Sequence, residues 1–532
     1  MFTIGKFFNT VKYLKFTQIK YRGYYTLRSK IRKLTGFSYP LIKSASPVDL
    51  ILQAGITTPP SYLGENSFRF LNISHSFDKI DWNWRDEGHL WTFNLNYFDF
   101  INQEDIHKDE AIRLIYDFID KIETVSLVNG LAAYTISLRG MNWIKFLIRH
   151  GIRDKKIDDS LYAQYMILLD NLEYQFMANH LLENGFSLLF GAYYFNDEVL
   201  YVKAKEILKE QLSEQTLEDG ANFELSPMYH QIILGRVLDC VNLMQSNEWK
   251  YDELMGIMEK KAEVMLGWIN AISFKNGEIP LLNDSANGIA PMTEQLNSYA
   301  DTLQISHPGL STSTYLLKES GYRMIRKEKY EMAIDVANIG AAYNPAHVHS
   351  DTFTFELYVD GKPFIVDTGT STYNKNSRRH IERSTFSHNT VVVGETNQSE
   401  VWGGFRVADR ANIVELEEKE ESIRAIHDGY QKHFKVMHQR EFMTKDEVIK
   451  IIDKIIPETK TTMSIARLHF HPDVEVFLKD GHVIADGKKI TFLGAVKVML
   501  NYYQYAPEYN RLYESKVAEV EFYDNLECEI LL

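Results

Sequence analysis

Up to about residue 305, apolar residues recur at three- and four-residue spacing. The segments EAIRLIYDFIDKIETV, MNWIKFLIRHGI, SLYAQYMILLDNLEYQFMANHLL and ELMGIMEKKAEVMLGWINAI each carry the stripe of an amphipathic helix. Short polar loops such as FNDEV and LEDGANFELSP join them. Many antiparallel helices in series predict a helical toroid or solenoid, although no sequence repeat is evident. From about residue 314 the pattern changes to alternation of β-branched and aromatic residues, with turn signals VDGK and KDGH. YEMAIDVANIG, TFTFELYVDGKPFIVDTG, HNTVVVG, VIKIIDKII and AEVEFYDNLECEILL read as short strands of a large antiparallel sandwich. The Ser-, Thr-, Gly- and Pro-bearing stretch ISHPGLSTST marks the boundary.

Composition narrows the function classes. A chain of 532 residues is too long for one core and implies two or three domains. The formal net charge of −14, with no long basic run and no zinc-finger spacing, gives no basis for nucleic-acid binding. If the substrate is acidic, its attraction must be local, in a cleft with its own Arg and His residues. Only Cys240 and Cys528 occur, which excludes a disulfide framework and disfavours a thiolate metal site. No apolar run reaches the length of a membrane span. The N-terminal MFTIGKFFNTVKYLKFTQIKYRG is basic and aromatic but lacks the apolar core and cleavage site of a signal peptide. A cytoplasmic location is expected, or a periplasmic one if a signal has been removed. Aromatic residues make up 13%; most fill cores, and some suit the apolar face of a sugar ring.

The densest cluster of candidate chemistry is AHVHSDTFTFELYVDGKPFIVDTGTSTY followed by RRHIERSTFSHNTVVV, with His347, His349, Asp351, Asp367 and His388. On a strand, His347 and His349 share a face. Asp367 falls at a strand end, and His388 precedes an apolar run. Two imidazoles and a carboxylate from three neighbouring strands make a nitrogen–oxygen zinc site, though the same residues also fit strand-end hydrogen bonding. The helical half adds NHLLENG, with Asn179, His180, Glu183 and Asn184, and FELSPMYHQ, with Glu224, Tyr229 and His230. On a helix Asn179 and Glu183 share one face, and His180 and Asn184 another. Arg139 in SLRGMNW and Asp284 in PLLNDSANG complete the set. Capping and interhelical hydrogen bonding are the plainer roles for these polar residues.

These residues resemble the heparinase II/III-like polysaccharide lyases. The string from His347 to Tyr373, then ERSTFSHNTVVVGETNQSEVWGGFRVADRA, is similar to that family's C-terminal signature. WNWRDEGHLWTFNLNYFDF, SLRGMNWIKFL and NHLLENGFSLLFGAYYF resemble its helical domain, so the likeness runs in order from about Trp82 to Asn412. The resemblance implies an α+β multidomain chain: a helical extension over 1–60, an incomplete α/α toroid over 61–310 and an antiparallel β-sandwich over 311–532. It implies cleavage of a uronic-acid-containing polysaccharide by β-elimination, with a glycosaminoglycan such as heparan sulfate, hyaluronan or chondroitin as the leading substrate class. Asn179 and His180 are expected to neutralise the uronate carboxylate, with His180 also a base for one C5 epimer. Tyr229 matches the catalytic tyrosine and His347 a catalytic or substrate-contacting position. His349, Asp367 and His388 match the ligands of a metal, usually zinc, that holds the junction beside the cleft. Arg139, Glu183, Asp284 and Arg383 are expected to contact substrate. Two competing readings stand beside this one: a glycoside hydrolase using Glu183 with Glu224 or Asp284, and a non-catalytic glycan-binding protein. Oligomeric state is open.

Overall fold

The computed structural model describes residues 4–125, 130–458 and 462–532. Two helices, α1 (Ile4–Val11) and α2 (Phe16–Thr35), form the N-terminal extension. A three-stranded meander (Tyr62–Gly64, Ser67–Phe70, Ile73–Ser76), not foreseen from the sequence, precedes the helical domain. That domain runs through α3 (His89–Tyr97), α4 (Lys108–Val125), α5 (Ala133–His150), α6 (Lys155–Asp170), α7 (Ala178–Phe195), α8 (Glu198–Gln215), α9 (Pro227–Ser246), α10 (Glu253–Ile272) and α11 (Thr293–Thr302).

The helices sort into two layers. Odd-numbered helices touch one another in the order α3, α5, α7, α9, α11, while α4 meets α6 and α8 meets α10 outside them. Burial explains the division. α5, α7 and α9 are apolar or small almost all round and nearly every residue is buried, so they line the inside; α4 carries a one-sided stripe and closes the outside. Gly140 and Gly191 let α5 and α7 approach the Tyr165 ring, where a Cβ would come within 2.7 and 2.6 Å of it. The long periodic segment from Ser160 to Leu182 is not one helix. It breaks between Asp170 and Ala178, and the break lies at the mouth of the cleft.

After Thr302 the chain is built mainly of antiparallel strands, with short helices at Ser377–Glu382 and Gln431–Phe434. A five-stranded sheet (Tyr315–Leu317, Tyr322–Arg326, Tyr330–Asp335, Phe355–Val359, Lys362–Ile365) packs against an eight-stranded sheet whose centre holds Val448–Ile456 and the final strand Asn525–Leu531. Met332, Ile334, Phe355 and Leu357 of the first meet Phe442, Ile449, Ile451 and Ile530 of the second. A four-stranded sheet (Val391–Val393, Ser464–His469, Lys497–Glu508, Arg511–Phe522) completes the domain. The fold is α+β multidomain, helices first and antiparallel sheets second. Among the described residues no helix is long and apolar enough to cross a membrane, and both cysteines are free and buried.

Candidate active site

Three consecutive inner helices begin at the same end of the helical layer, facing the strand domain. Their first turns carry Tyr134 (α5), Asn179 and His180 (α7) and Tyr229 (α9). The starts of α9 and α7 are fixed in different ways. Ser226 caps α9 by accepting from the Tyr229 amide at 3.3 Å, and Pro227 opens the helix. The start of α7 is strained instead: Met177 and Ala178 both adopt left-handed backbone, at φ 57° and 49°. Such conformations cost non-glycine residues roughly 1–2 kcal/mol each. The turn is held because Glu224 accepts from the Asn179 amide at 3.3 Å.

The two domains meet on one buried carboxylate. Asp284, fully buried in the loop after α10, receives both terminal nitrogens of the Arg379 guanidinium. It also pairs with His347 Nδ1 at 3.0 Å and His349 Nε2 at 2.8 Å. Its backbone amide donates to the His347 carbonyl at 3.0 Å, and its carbonyl accepts from Ser226 at 2.8 Å. Burial alone would raise the carboxyl pKa, but Arg379, His347 and His349 hold it well below the ordinary range. Asp284 therefore stays ionised.

His347 in turn lies against Tyr229, with ring centroids 3.8 Å apart and planes inclined by 30°. The Tyr373 hydroxyl sits 3.2 Å from the Tyr229 hydroxyl and 3.4 Å from His347 Nδ1. Glu224 closes the group: its second oxygen is 3.5 Å from His347 Nε2. Burial pushes the Tyr229 phenol well above its ordinary value, with the hydrogen bond to the Tyr373 hydroxyl acting in the opposite sense. The phenol is thus neutral and able to donate.

On the α7 side, Glu173 in the helix break receives His180 Nδ1 at 3.1 Å and Asn184 Nδ2 at 3.1 Å. One turn of α7 separates the two, so both reach the same carboxylate, as the shared face predicted. Burial lowers the His180 pKa, but Glu173, with Glu224 and Glu183 behind it, outweighs burial and leaves it raised. The ring keeps 38% of its side-chain surface exposed, packs on Tyr134 and sits in the cleft, where Glu173 favours its protonated form.

A second buried group lies beside Asp284. His388 Nδ1 pairs with Asp367 Oδ2 at 2.7 Å, and the His349 and His388 rings are 5.3 Å apart. As they stand, no three His, Cys, Asp or Glu residues among the described ones are grouped so as to hold a metal ion. Three buried atoms nonetheless have no hydrogen-bond partner there, His349 Nδ1, His388 Nε2 and Asp351 Oδ2. Burial brings His349 down to about 4 and Asp351 up to about 6. A neutral imidazole and an underpaired carboxylate beside Asp367 fit a divalent cation, which would satisfy both.

Comparison with known proteins places the fold in a family. Residues 161–306 match the model of the heparinase II/III N-terminus, and residues 311–516 that of the heparinase II/III-like C-terminal domain. The chain belongs to the heparinase II/III-like family. A heparin-sulfate lyase of Bacteroides thetaiotaomicron is 24% identical over 230 residues, 36% of this chain and 32% of that protein. One from Bacteroides stercoris is 22% identical over 323 residues, 55% of this chain and 46% of that protein. The chain thus matches less than half the length of either. Among solved structures, a heparinase III superposes with a TM-score of 0.64 at 15% identity, covering 85% of this chain and 79% of the other. A heparan sulfate lyase of Pedobacter heparinus gives 0.52 at 15% identity, covering 88% and 81%. These likenesses show the fold.

Within this heparinase II/III-like chain several residues have other roles than expected. Arg139 is fully buried, spending its nitrogens on Gln164 and on the carbonyls of Asn96 and Gly130, so it ties helices together and meets no substrate. Arg383 is also buried and grips the Val348 carbonyl, at 2.7 Å for its closer nitrogen, between the two histidines. Asp284 holds the domain junction and exposes nothing to a ligand. Glu183 is buried with Arg236 3.4 Å away. His347 and His349 stand on a loop and not a strand, yet both turn toward Asp284. Reasoning from sequence overlooked Arg379, Tyr373 and Glu173. Arg379 and Tyr373 do fall within the C-terminal segments that carry the candidate chemistry, but nothing in their spacing announces a long-range partner.

Removing one partner of a buried ion pair leaves the other charge uncompensated, at about 3–5 kcal/mol. Arg379→Met is expected to lose that much in denaturant unfolding. Arg511→Ala, which breaks an exposed pair with Glu508, should lose about 0–1 kcal/mol. Equal losses would contradict the role given to Asp284 and Arg379.

Proposed function

We propose that this protein cleaves a uronic-acid-containing polysaccharide by β-elimination, with glycosaminoglycans of the heparan sulfate type as the first candidates. The observation that carries the reading is the stacked Tyr229–His347 pair lying where the first turns of α5, α7 and α9 converge. The names of the curated relatives add support for the substrate class.

The chemistry follows from the groups present. A uronate C5 proton becomes removable only when the neighbouring carboxylate is neutralised. Helix N-termini carry partial positive charge, and three of them face the cleft. The His180 cation adds a full charge, and the Asn179 side-chain amide can hydrogen-bond the carboxylate. Asp284 on His347 Nδ1 favours the tautomer whose Nε2 bears the lone pair, suiting His347 to accept the C5 proton. The C5–H electrons then form the C4–C5 double bond as the C4–O4 bond breaks. Tyr229, neutral because it is buried, gives its proton to O4. Tyr373, within 3.4 Å of both partners, offers the route by which that proton is restored to Tyr229. The raised phenol pKa weighs against Tyr229 itself acting as the base. A hydrolase reading is weakened because two of its three carboxylates are occupied, Asp284 by Arg379 and Glu183 by Arg236.

For the metal, His349, Asp367 and His388, with Asp351 beside them, are the residues that would hold zinc. Its charge would fix the loop that carries His347. Substrate is met by Tyr229, His180, Asn179 and His347.

Three outcomes are expected. Tyr229→Phe should lower release of unsaturated, ultraviolet-absorbing product from heparan sulfate by about 10²-fold or more with the fold intact; retention of more than about a tenth would remove Tyr229 as proton donor. KM should stay flat while His180 is protonated and climb as pH rises through its raised pKa, and Glu173→Gln should move that climb to lower pH. A profile that Glu173→Gln leaves in place would speak against His180 as the carboxylate's partner. Elemental analysis should find about one zinc per chain, lost together with thermal stability in His349→Ala and His388→Ala. Full stability of a metal-free protein would end the zinc assignment.

A further inference from the structure

The N-terminal extension has its amphipathicity turned outward. A surface helix ordinarily packs its apolar stripe against the core. α2 does the reverse. Its polar and aromatic face is pinned to the helix break and its flanks: Gln18 donates to the Phe176 carbonyl at 3.2 Å, Tyr25 to the Leu172 carbonyl at 2.6 Å, and Arg28 to Asp170 at 3.0 Å. Tyr21 stacks on Tyr174 with ring centroids 4.5 Å apart. The opposite face presents Phe16, Ile19, Leu27, Ile31 and Leu34 to solvent, with Phe16 79%, Leu27 61% and Leu34 87% exposed. At 3.6 residues per turn these five lie along one side of a rod roughly 30 Å long.

The charge of the same segment departs from that of the chain. Residues 1–48 hold ten Lys and Arg and no Asp or Glu, in a protein of net charge −14. Lys6, Lys15, Arg28 and Arg32 point inward and pair with Glu400, Glu214 and Asp170. Lys12, Lys20, Lys30 and Lys33 are exposed and make no ion pair among the described residues.

We propose that α2, with α1 beside it, is a membrane-surface anchor that lies flat on an anionic phospholipid bilayer. Aliphatic and aromatic side chains bordered by lysines, on a helix already fixed to the protein by its other face, match the chemistry of an interfacial helix. The lysines meet lipid phosphates while Phe16, Leu27 and Leu34 enter the acyl boundary. A soluble polyanionic glycan would use the lysines but would gain nothing from the exposed aliphatic row. The anchor sits beside the cleft, since Phe176, which receives Gln18, is 5.1 Å ring to ring from His180. Docking would therefore bring the catalytic mouth close to the membrane plane.

The test is co-sedimentation of the full chain with vesicles of phosphatidylcholine alone and of phosphatidylcholine with phosphatidylglycerol. Binding to the anionic vesicles should exceed binding to the neutral ones by about ten-fold or more. Leu27→Asp/Leu34→Asp should abolish it while thermal unfolding stays that of the wild type, and Lys20→Glu/Lys30→Glu/Lys33→Glu should do the same. A Leu27→Asp/Leu34→Asp protein that still binds anionic vesicles overturns the proposal. So does a wild-type protein that ignores them and uses these lysines only to bind immobilised heparin.

Discussion

Everything at the domain junction depends on a carboxylate that has been taken out of water. Asp284 belongs to the helical half, and its three side-chain partners, the Arg379 cation and the rings of His347 and His349, belong to the strand half. An isolated buried carboxylate would cost several kcal/mol, so each partner that the strand half presents to Asp284 favours the closed junction. The same contact orients the chemistry. By fixing His347 Nδ1 it sets the tautomer of the ring that lies on Tyr229, and through the Asp284 carbonyl it steadies Ser226, the cap of the helix that carries Tyr229. Stability and the geometry of the Tyr229–His347 pair thus rest on the same set of hydrogen bonds.

The proposed anionic substrate is compatible with a strongly acidic protein when the attraction is built from backbone. The converging N-termini of α5, α7 and α9 supply positive potential, and His180, whose protonated form Glu173 favours, sits in the first turn of α7. Glu173, Glu183 and Glu224 are close by, but each is already engaged. Glu173 raises His180, Glu183 pairs with Arg236, and Glu224 holds the strained start of α7. Burial also raises the pKa of Glu183 and Glu224, which lessens their charge. The cleft therefore presents less negative charge than its composition suggests.

Much of this was legible in the chain. Helical periodicity marks α4 and α10, and alternation marks the strands around Phe355 and Val448, because those patterns record which face is buried. The break between α6 and α7 was not legible. Apolar spacing continues through Leu172 and Tyr174, and only the tertiary demand to place Glu173 against His180 and Asn184 interrupts the helix. The shared face of His180 and Asn184 is written in their spacing, but the carboxylate that joins them is not. Arg139 and Arg383 look like anion binders in the sequence because guanidinium groups suit carboxylates. Their complete burial against backbone carbonyls is a long-range outcome that no local pattern encodes. The role of Asp284 was hidden for the same reason: its partners lie 63, 65 and 95 positions away.

The central claim is that the glycosidic linkage is broken by elimination and not by water. It is tested most directly by digesting a uronate polysaccharide in ¹⁸O-labelled water and weighing the products. Elimination predicts fragments that take up no label at the cleaved bond, with the new non-reducing end lighter by one water. Label incorporated at every new reducing end, with no unsaturated residue, would contradict the account and return the site to a hydrolase.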